Sequence, residues 1–159
     1  MLPDQLGRPV CESASEMSEF ALPNDANVLG TLFGGKVMAL VDLAASLAAA
    51  RHARCAIVTA SIDRMTFLHP IHIGQLVTLK SSVNRVFRTS MEVGGKVFIE
   101  DLRTREVKHT SSAYLTFVAL DKDGHKITVT PVLPQTEVER RRYEEAGERR
   151  ALRLAQKLK

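Results

Sequence analysis

Residues 34–50 read Gly-Gly-Lys-Val-Met-Ala-Leu-Val-Asp-Leu-Ala-Ala-Ser-Leu-Ala-Ala-Ala and constrain this chain more than any other stretch. At helical spacing the segment is apolar on nearly every side, and a helix of that kind belongs in an interior. Asp42 stands in its middle. A carboxylate in apolar company is costly unless groups are arranged around it. Asp42 is therefore either a hydrogen-bonded structural group or a working acid or base. The expected helix runs from about Gly34 to His52, and its basic end, Arg51-His52-Ala-Arg54, suits the negative pole of a helix dipole. His52 is expected as a dipole-favoured residue there.

The rest of the chain has to supply that interior. After the helix the apolar period changes from helical to two. Ala56, Val58, Ala60 and Ile62 alternate with Ile57, Thr59, Ser61 and Asp63, and the parity slips near Arg64, where a bulge is expected. Three further strands follow, around Val77–Phe87, Met91–Ile99 and Ala113–Ala119, with Gly94-Gly95 as a bulge or a close approach. Short connections imply an antiparallel meander of four long strands. A short strand is expected over residues 15–22, then a loop rich in turn formers from Pro23 to Gly30. The class is α+β, with one long central helix wrapped by a curved antiparallel sheet. Thr136 and Glu139 form a capping box that opens a charged C-terminal helix, read as solvated. The organisation expected is a flexible leader over 1–14, one domain over 15–134, and the tail helix over 135–159.

Several functions are excluded by what the chain lacks. With 159 residues, 45% hydrophobic and 25% charged, it is one ordinary globular domain. Its net charge of +4 is concentrated in the tail. Trp is absent and only two Tyr occur, which argues against a nucleic-acid base-stacking groove. The apolar run is shorter than a membrane span and is broken by Asp42 and Ser46. No secretory signal is evident, and two cysteines, Cys11 and Cys55, read as free thiols of a cytoplasmic protein. The five histidines show no metal spacing, so no metal is expected. Neither a Gly-x-Ser-x-Gly elbow nor a phosphate-binding glycine loop is present.

Gly34-Gly35 sits where the helix begins. The first amides of a helix lack internal partners and carry partial positive charge, and glycine admits a close ligand. Such amides can hold the oxyanion that forms when a carbonyl is attacked. The alternative is a tightly packed helix start. Asn27 is either a polar group for a water or a carbonyl, or a loop residue satisfying its own turn. Arg88-Thr89-Ser90 is either a phosphate-contacting turn or a solvated hairpin.

Taken together, Pro23-Asn-Asp-Ala-Asn27-Val-Leu-Gly30, Phe33-Gly34-Gly35, Val41-Asp42, Ile57-Val-Thr-Ala-Ser-Ile-Asp63, Phe67, Gly74, Arg88-Thr-Ser-Met-Glu92 and Phe117-Val-Ala-Leu followed by Pro134-Gln-Thr-Glu-Val-Glu139 carry a family resemblance. The pattern resembles the hotdog fold, and within it the acyl-coenzyme A thioesterases of the cytosolic acyl-CoA hydrolase type. The resemblance implies hydrolysis of acyl-CoA to a free acid and coenzyme A, with no cofactor. It implies Asp42 as general base or nucleophile, Gly35 as the main oxyanion donor beside Gly34, and Asn27 placing the attacking water. Coenzyme A contacts are expected at Arg88, Thr89 and Ser90, and Thr59 is expected to line the pantetheine channel. Asp42 of one subunit would face the Gly34-Gly35 end of another, in a homodimer assembled into a trimer of dimers. Two other readings keep the fold: a hydratase or dehydratase on acyl thioesters, disfavoured by Asn27 where a His is wanted, and a non-enzymatic acyl-CoA sensor or carrier.

Overall fold

The computed structural model describes residues 6–157. In chain order the elements are β1 (Arg8–Pro9), β2 (Ser15–Phe20), α1 (Gly34–Ala53), β3 (Ala56–Ile62), β4 (Leu76–Phe87), β5 (Ser90–Glu100), β6 (Val107–Leu120), β7 (Val132–Leu133) and α2 (Glu137–Gln156). Five strands form one antiparallel sheet in the order β2-β4-β5-β6-β3. α1 touches all five. A flat five-stranded sheet is roughly 20 Å across at 4.8 Å per strand, about twice the width of a helix. The sheet must curl around α1 to reach it, as expected.

Small residues allow the close approach. Gly95 and Ala113 are opposite each other on β5 and β6, and a Cβ added at Gly95 would lie 3.8 Å from Val41 Cγ1. Ala44, Ala45, Ala48 and Ala49 line the buried side of α1, and the Ser81 hydroxyl donates to Ala44 O at 2.7 Å. Val77, Leu79, Val83, Met91, Val93 and Phe117 close the core from the sheet side.

The expected four-strand meander holds for β4, β5 and β6 alone. β4 has β5 on one edge and β2 on the other, so β3 caps the free edge of β6 instead. Residues 63–75 carry the chain from β3 at one edge of the sheet across to β4, next to the opposite edge. The parity slip also falls earlier than expected. The register shifts between Thr59 and Ser61, leaving Ala60 as the extra residue.

The expected leader is partly built in. Arg8 and Pro9 pair in parallel with Val132 and Leu133, while Val10 and Ser13 are buried. Residues 1–5 of that leader, like 158–159 of the tail, lie outside the described residues. This clasp closes over the end of α1. The Arg8 guanidinium donates to His52 O, and His52 Nε2 lies 2.8 Å from Thr130 O. His52 is fully buried, and burial pushes its imidazole below the usual histidine range. It is a buried core residue, where a dipole-favoured residue at the helix end was expected.

The tail helix starts where expected. Glu139 N donates to Thr136 Oγ1, and the Glu139 carboxylate accepts from Thr136 N. It is not solvated throughout. Ala146 is fully buried, and the Arg85 guanidinium from β4 lies over the Tyr143 ring and donates to Tyr143 O. α2 is docked on the outer face of the sheet.

Candidate active site

α1 is less enclosed than its composition suggests. Its buried positions are Val37, Leu40, Val41, Ala44, Ala45, Ala48, Ala49 and His52. At 100° per residue the opposite stripe carries Gly35, Met38, Ala39, Asp42, Leu43, Ser46 and Leu47. Met38, Leu43 and Leu47 stay substantially exposed there, Leu43 at 57%. Gly35 and Asp42 therefore share one stripe, seven residues and roughly 10 Å apart along the axis. Exposed apolar surface of this kind is characteristic of interaction sites.

Asp42 is half-buried, and its Oδ1 accepts a hydrogen bond from Thr59 Oγ1 at 2.8 Å. The bulge makes this contact possible. Ile57, Thr59 and Ile62 pair with Ala119, Phe117 and Leu115, whose side chains are all buried inside the sheet. Skipping Ala60 thus keeps Thr59 and Ile62 on the inner face, towards α1, and turns Ser61 outward opposite Thr116. Ser46, one turn further along α1, donates to Leu43 O and not to Asp42. Thr59 is the partner of the carboxylate, a nearer role than the channel lining expected from the sequence.

The start of α1 has no side-chain cap. The amides of Gly34, Gly35 and Lys36 therefore lack helical partners, and both glycines are exposed. A Cβ at Gly35 would meet nothing within 4 Å, whereas at Gly34 it would lie 3.6 Å from the Phe67 ring. Phe67 thus roofs one side of the helix start and Gly35 faces open space. Lys36 would oppose the helix dipole, but Glu19 and Asp25 hold it at 2.9 and 3.3 Å. The hydrogen bonds its ammonium donates to those two carboxylates raise its pKa.

Asn27 is occupied by its own loop. Its Oδ1 accepts from Leu29 N and Thr31 N, and its Nδ2 donates to Thr31 Oγ1 at 2.8 Å. Both lone-pair directions of the carbonyl are used, and one N–H of the carboxamide remains for a ligand. The loop it builds thrusts Val28 and Leu29 into solvent, Leu29 at 82% exposure. Among the described residues, neither Asn27 nor Gly35 bonds to Asp42 within one protomer.

Of the turn residues Arg88, Thr89 and Ser90, the last two border one depression and Arg88 lies outside its wall. Arg88 is exposed with φ 43°. Ser90 is buried under α2 on the outer face: its hydroxyl donates to Phe87 O and accepts from Arg150 at 3.2 Å. Strand pleating at the start of β5 directs it towards α2. Thr89 and Ser90 border a depression of about 920 Å³ between the sheet's outer face and α2, where Arg64, Lys126 and Arg150 add positive charge. Ser61, two residues past Thr59, is also on its wall. Elsewhere Asp121, Asp123 and His125 come close enough to share an ion. They sit in an exposed turn in which Asp121 Oδ1 accepts from two backbone amides, the ordinary chemistry of such a turn.

A five-stranded sheet curled round a helix, with an acid and a free helix start on that helix's open stripe, is a hotdog arrangement. Comparison with known proteins agrees. The family model for the thioesterase superfamily matches residues 29–106. The acyl-CoA thioester hydrolase YkhA of Bacillus subtilis, itself uncharacterised, is 45% identical over 128 residues, spanning 80% of this chain and 74% of its own. A solved hexameric acyl-CoA thioesterase is 42% identical with a TM-score of 0.90, over 93% of this chain and 95% of that one. An acyl-CoA hydrolase of Staphylococcus aureus, solved with butyryl coenzyme A, coenzyme A and coenzyme A disulfide, is 34% identical with a TM-score of 0.89, over 95% and 92% of the two chains. Variants of that enzyme with one Asp, one Asn or one Thr changed to alanine have also been solved. The chain belongs to the thioesterase superfamily, among its hotdog-fold acyl-CoA thioesterases.

Proposed function

We propose that this protein hydrolyses acyl-CoA at a site shared between two protomers, with Asp42 from one and the Gly35 amide from the other. The observation that carries this is the shared stripe. Gly35 and Asp42 lie on one exposed, apolar face of α1, yet too far apart to act on one carbonyl within a protomer. Two copies packed antiparallel through that face, about a two-fold axis near Met38 and Ala39, set each Asp42 opposite the partner's helix start. The exposed Leu43 and Leu47 would be covered in the same step. A trimer of such dimers would bury further surface, consistent with the hexameric relative.

The chemistry needs only water. The hydroxyl of Thr59 holds Oδ1, leaving Oδ2 to take a proton from a water molecule. The water oxygen then bonds to the thioester carbon, and the carbonyl oxygen takes up negative charge against the Gly35 N–H. Collapse breaks the carbon–sulfur bond, and Asp42 returns the proton to the departing thiolate. Asn27 offers its spare N–H to the water or the acyl oxygen. Thr59 and Ser61 lie on opposite faces of β3, so coenzyme A crossing that strand would bring its phosphates to the basic depression beside Arg88 and Thr89. No metal or redox cofactor has a role in these steps. The two unpaired cysteines fit a cytoplasmic setting, and among the described residues no helix is long and apolar enough to cross a membrane.

The test is thiol release from short, medium and long acyl-CoAs. Asp42→Ala is expected to lose about 10²- to 10⁴-fold in turnover, the usual share of a general base, with unchanged circular dichroism. Full activity in that variant would refute the assignment.

A further inference from the structure

Two acids of the motifs, Asp63 and Glu92, have no part in the chemistry above. Glu92 lies near the start of β5, has no exposed surface, and is ringed by donors. Asn84 Nδ2 donates to Oε1 at 3.0 Å, and Arg149 donates to both carboxylate oxygens, at 2.8 and 3.1 Å. Arg153 lies 3.5 Å from Oε2. The Arg149 guanidinium is also 3.6 Å from the centre of the Tyr114 ring. Burial works against its charge, but the hydrogen bond and attraction of Glu92 overcome this and raise its pKa. Arg153 donates in turn to Asp63, the residue just past β3, at 2.7 Å. Between them Arg150 grips the β4–β5 turn, bonding Ser90 and lying 4.5 Å from the Phe87 ring.

A single stretch of α2, residues 149–153, therefore ties together the end of β3, the first half of β5 and the β4–β5 turn. A buried ion pair is a poor way to gain stability, because an apolar replacement often does as well. What a forked arginine–carboxylate pair supplies is fixed position. The segments so fixed are those that carry Thr59, Thr89 and Arg88.

We propose that Glu92 is a positioning residue: through Arg149 it docks α2 as a brace that holds the β4–β5 turn and the end of β3 at the spacing needed by the phosphate end of coenzyme A. This rests on the acyl-CoA reading above. It assigns α2 to substrate affinity and leaves the chemical step to Asp42.

The experiment compares the full-length wild type with Glu92→Gln and Arg153→Gln. Arg153 is at the partly exposed edge of the network, so that variant tests the brace even where Glu92→Gln folds poorly. Each is assayed with an acyl-CoA and with the same acyl group on N-acetylcysteamine, which carries no phosphate. KM for acyl-CoA is expected to rise roughly tenfold in Glu92→Gln and several-fold in Arg153→Gln, the scale of one lost charge-assisted contact. kcat should stay within about twofold, as should kcat/KM for the truncated thioester, because the reacting groups are untouched. An unchanged KM for acyl-CoA in Arg153→Gln, or equal losses on both thioesters, would overturn the proposal. If the wild type released thiol from neither substrate, the acyl-CoA reading itself would fall. Release by the wild type with no such KM shift would remove the brace alone.

Discussion

Replacing Thr59 with valine deletes one hydroxyl and keeps the β-branched shape on β3. The hydroxyl donates to Asp42 Oδ1 at 2.8 Å. A hydrogen bond to a charged group is worth about 1.5–3 kcal/mol. Asp42 is only half-buried, so water takes over part of the lost contact. Discounting for that leaves about 1–1.5 kcal/mol, a fall in kcat of roughly five- to twelvefold at 1.4 kcal/mol per decade. Thr59→Ser keeps the donor and should stay within about threefold of wild type, since it loses one methyl of an exposed residue and gains rotamer freedom. The assay is steady-state thiol release with one acyl-CoA at saturation, with oligomeric state checked by light scattering. Wild-type turnover in Thr59→Val would refute the reasoning. So would a serine variant as slow as the valine variant, because the loss would then come from packing.

Two further outcomes follow from groups outside the site. His52 resists protonation in the folded state because it is buried, whereas in the unfolded chain it titrates near 6.5. Its contribution is therefore complete above about pH 6.5 and is lost as pH falls through that value towards the lower folded pKa. Urea midpoints at pH 7.5 and 5.5 should differ more for the wild type than for His52→Gln; equal differences would contradict this. A Cβ at Gly94 would lie 2.8 Å from Asn84 Nδ2, which is buried and committed to Glu92. Gly94→Ala should cost about 1–3 kcal/mol by overpacking, read as a lowered melting temperature; an unchanged value would show that Asn84 yields freely.

What was legible in the sequence followed the reach of each interaction. The capping box at Thr136 and Glu139 is local, and it formed as written. The limits of α1 were readable because glycines open it and Arg51-His52 close it. β3's place at the sheet edge depends on which strand edges remain free once β2 has paired with β4, a choice made far along the chain. Alternation alone does not show which residue is skipped, so the slip expected near Arg64 lies four residues past the bulge at Ala60. The open stripe of α1 looks buried in the sequence, since exposed apolar residues on a helix have the same spacing as core residues. Asn27, Asp42, Gly35 and Thr59 stand out in the sequence, but Thr59's bond to Asp42 requires two segments to meet. The contacts of α2 with Glu92 and Asp63 join distant segments, yet one sign of them is local. Glu92 is an acid in the apolar run Met91-Glu92-Val93, the same anomaly that marked Asp42.

The shared site itself is open to one decisive measurement. Asp42→Ala removes the base, and Gly35→Pro removes the amide donor at a first-turn position where proline is tolerated. Each variant alone should be nearly inactive. Co-expressed in equal amounts, random pairing makes about half of the dimers mixed, each with one intact and one doubly damaged site. The mixture should therefore recover about one-quarter of wild-type specific activity. A mixture as inactive as its parents would mean that Asp42 and Gly35 serve the same chain's substrate, and the account would be wrong.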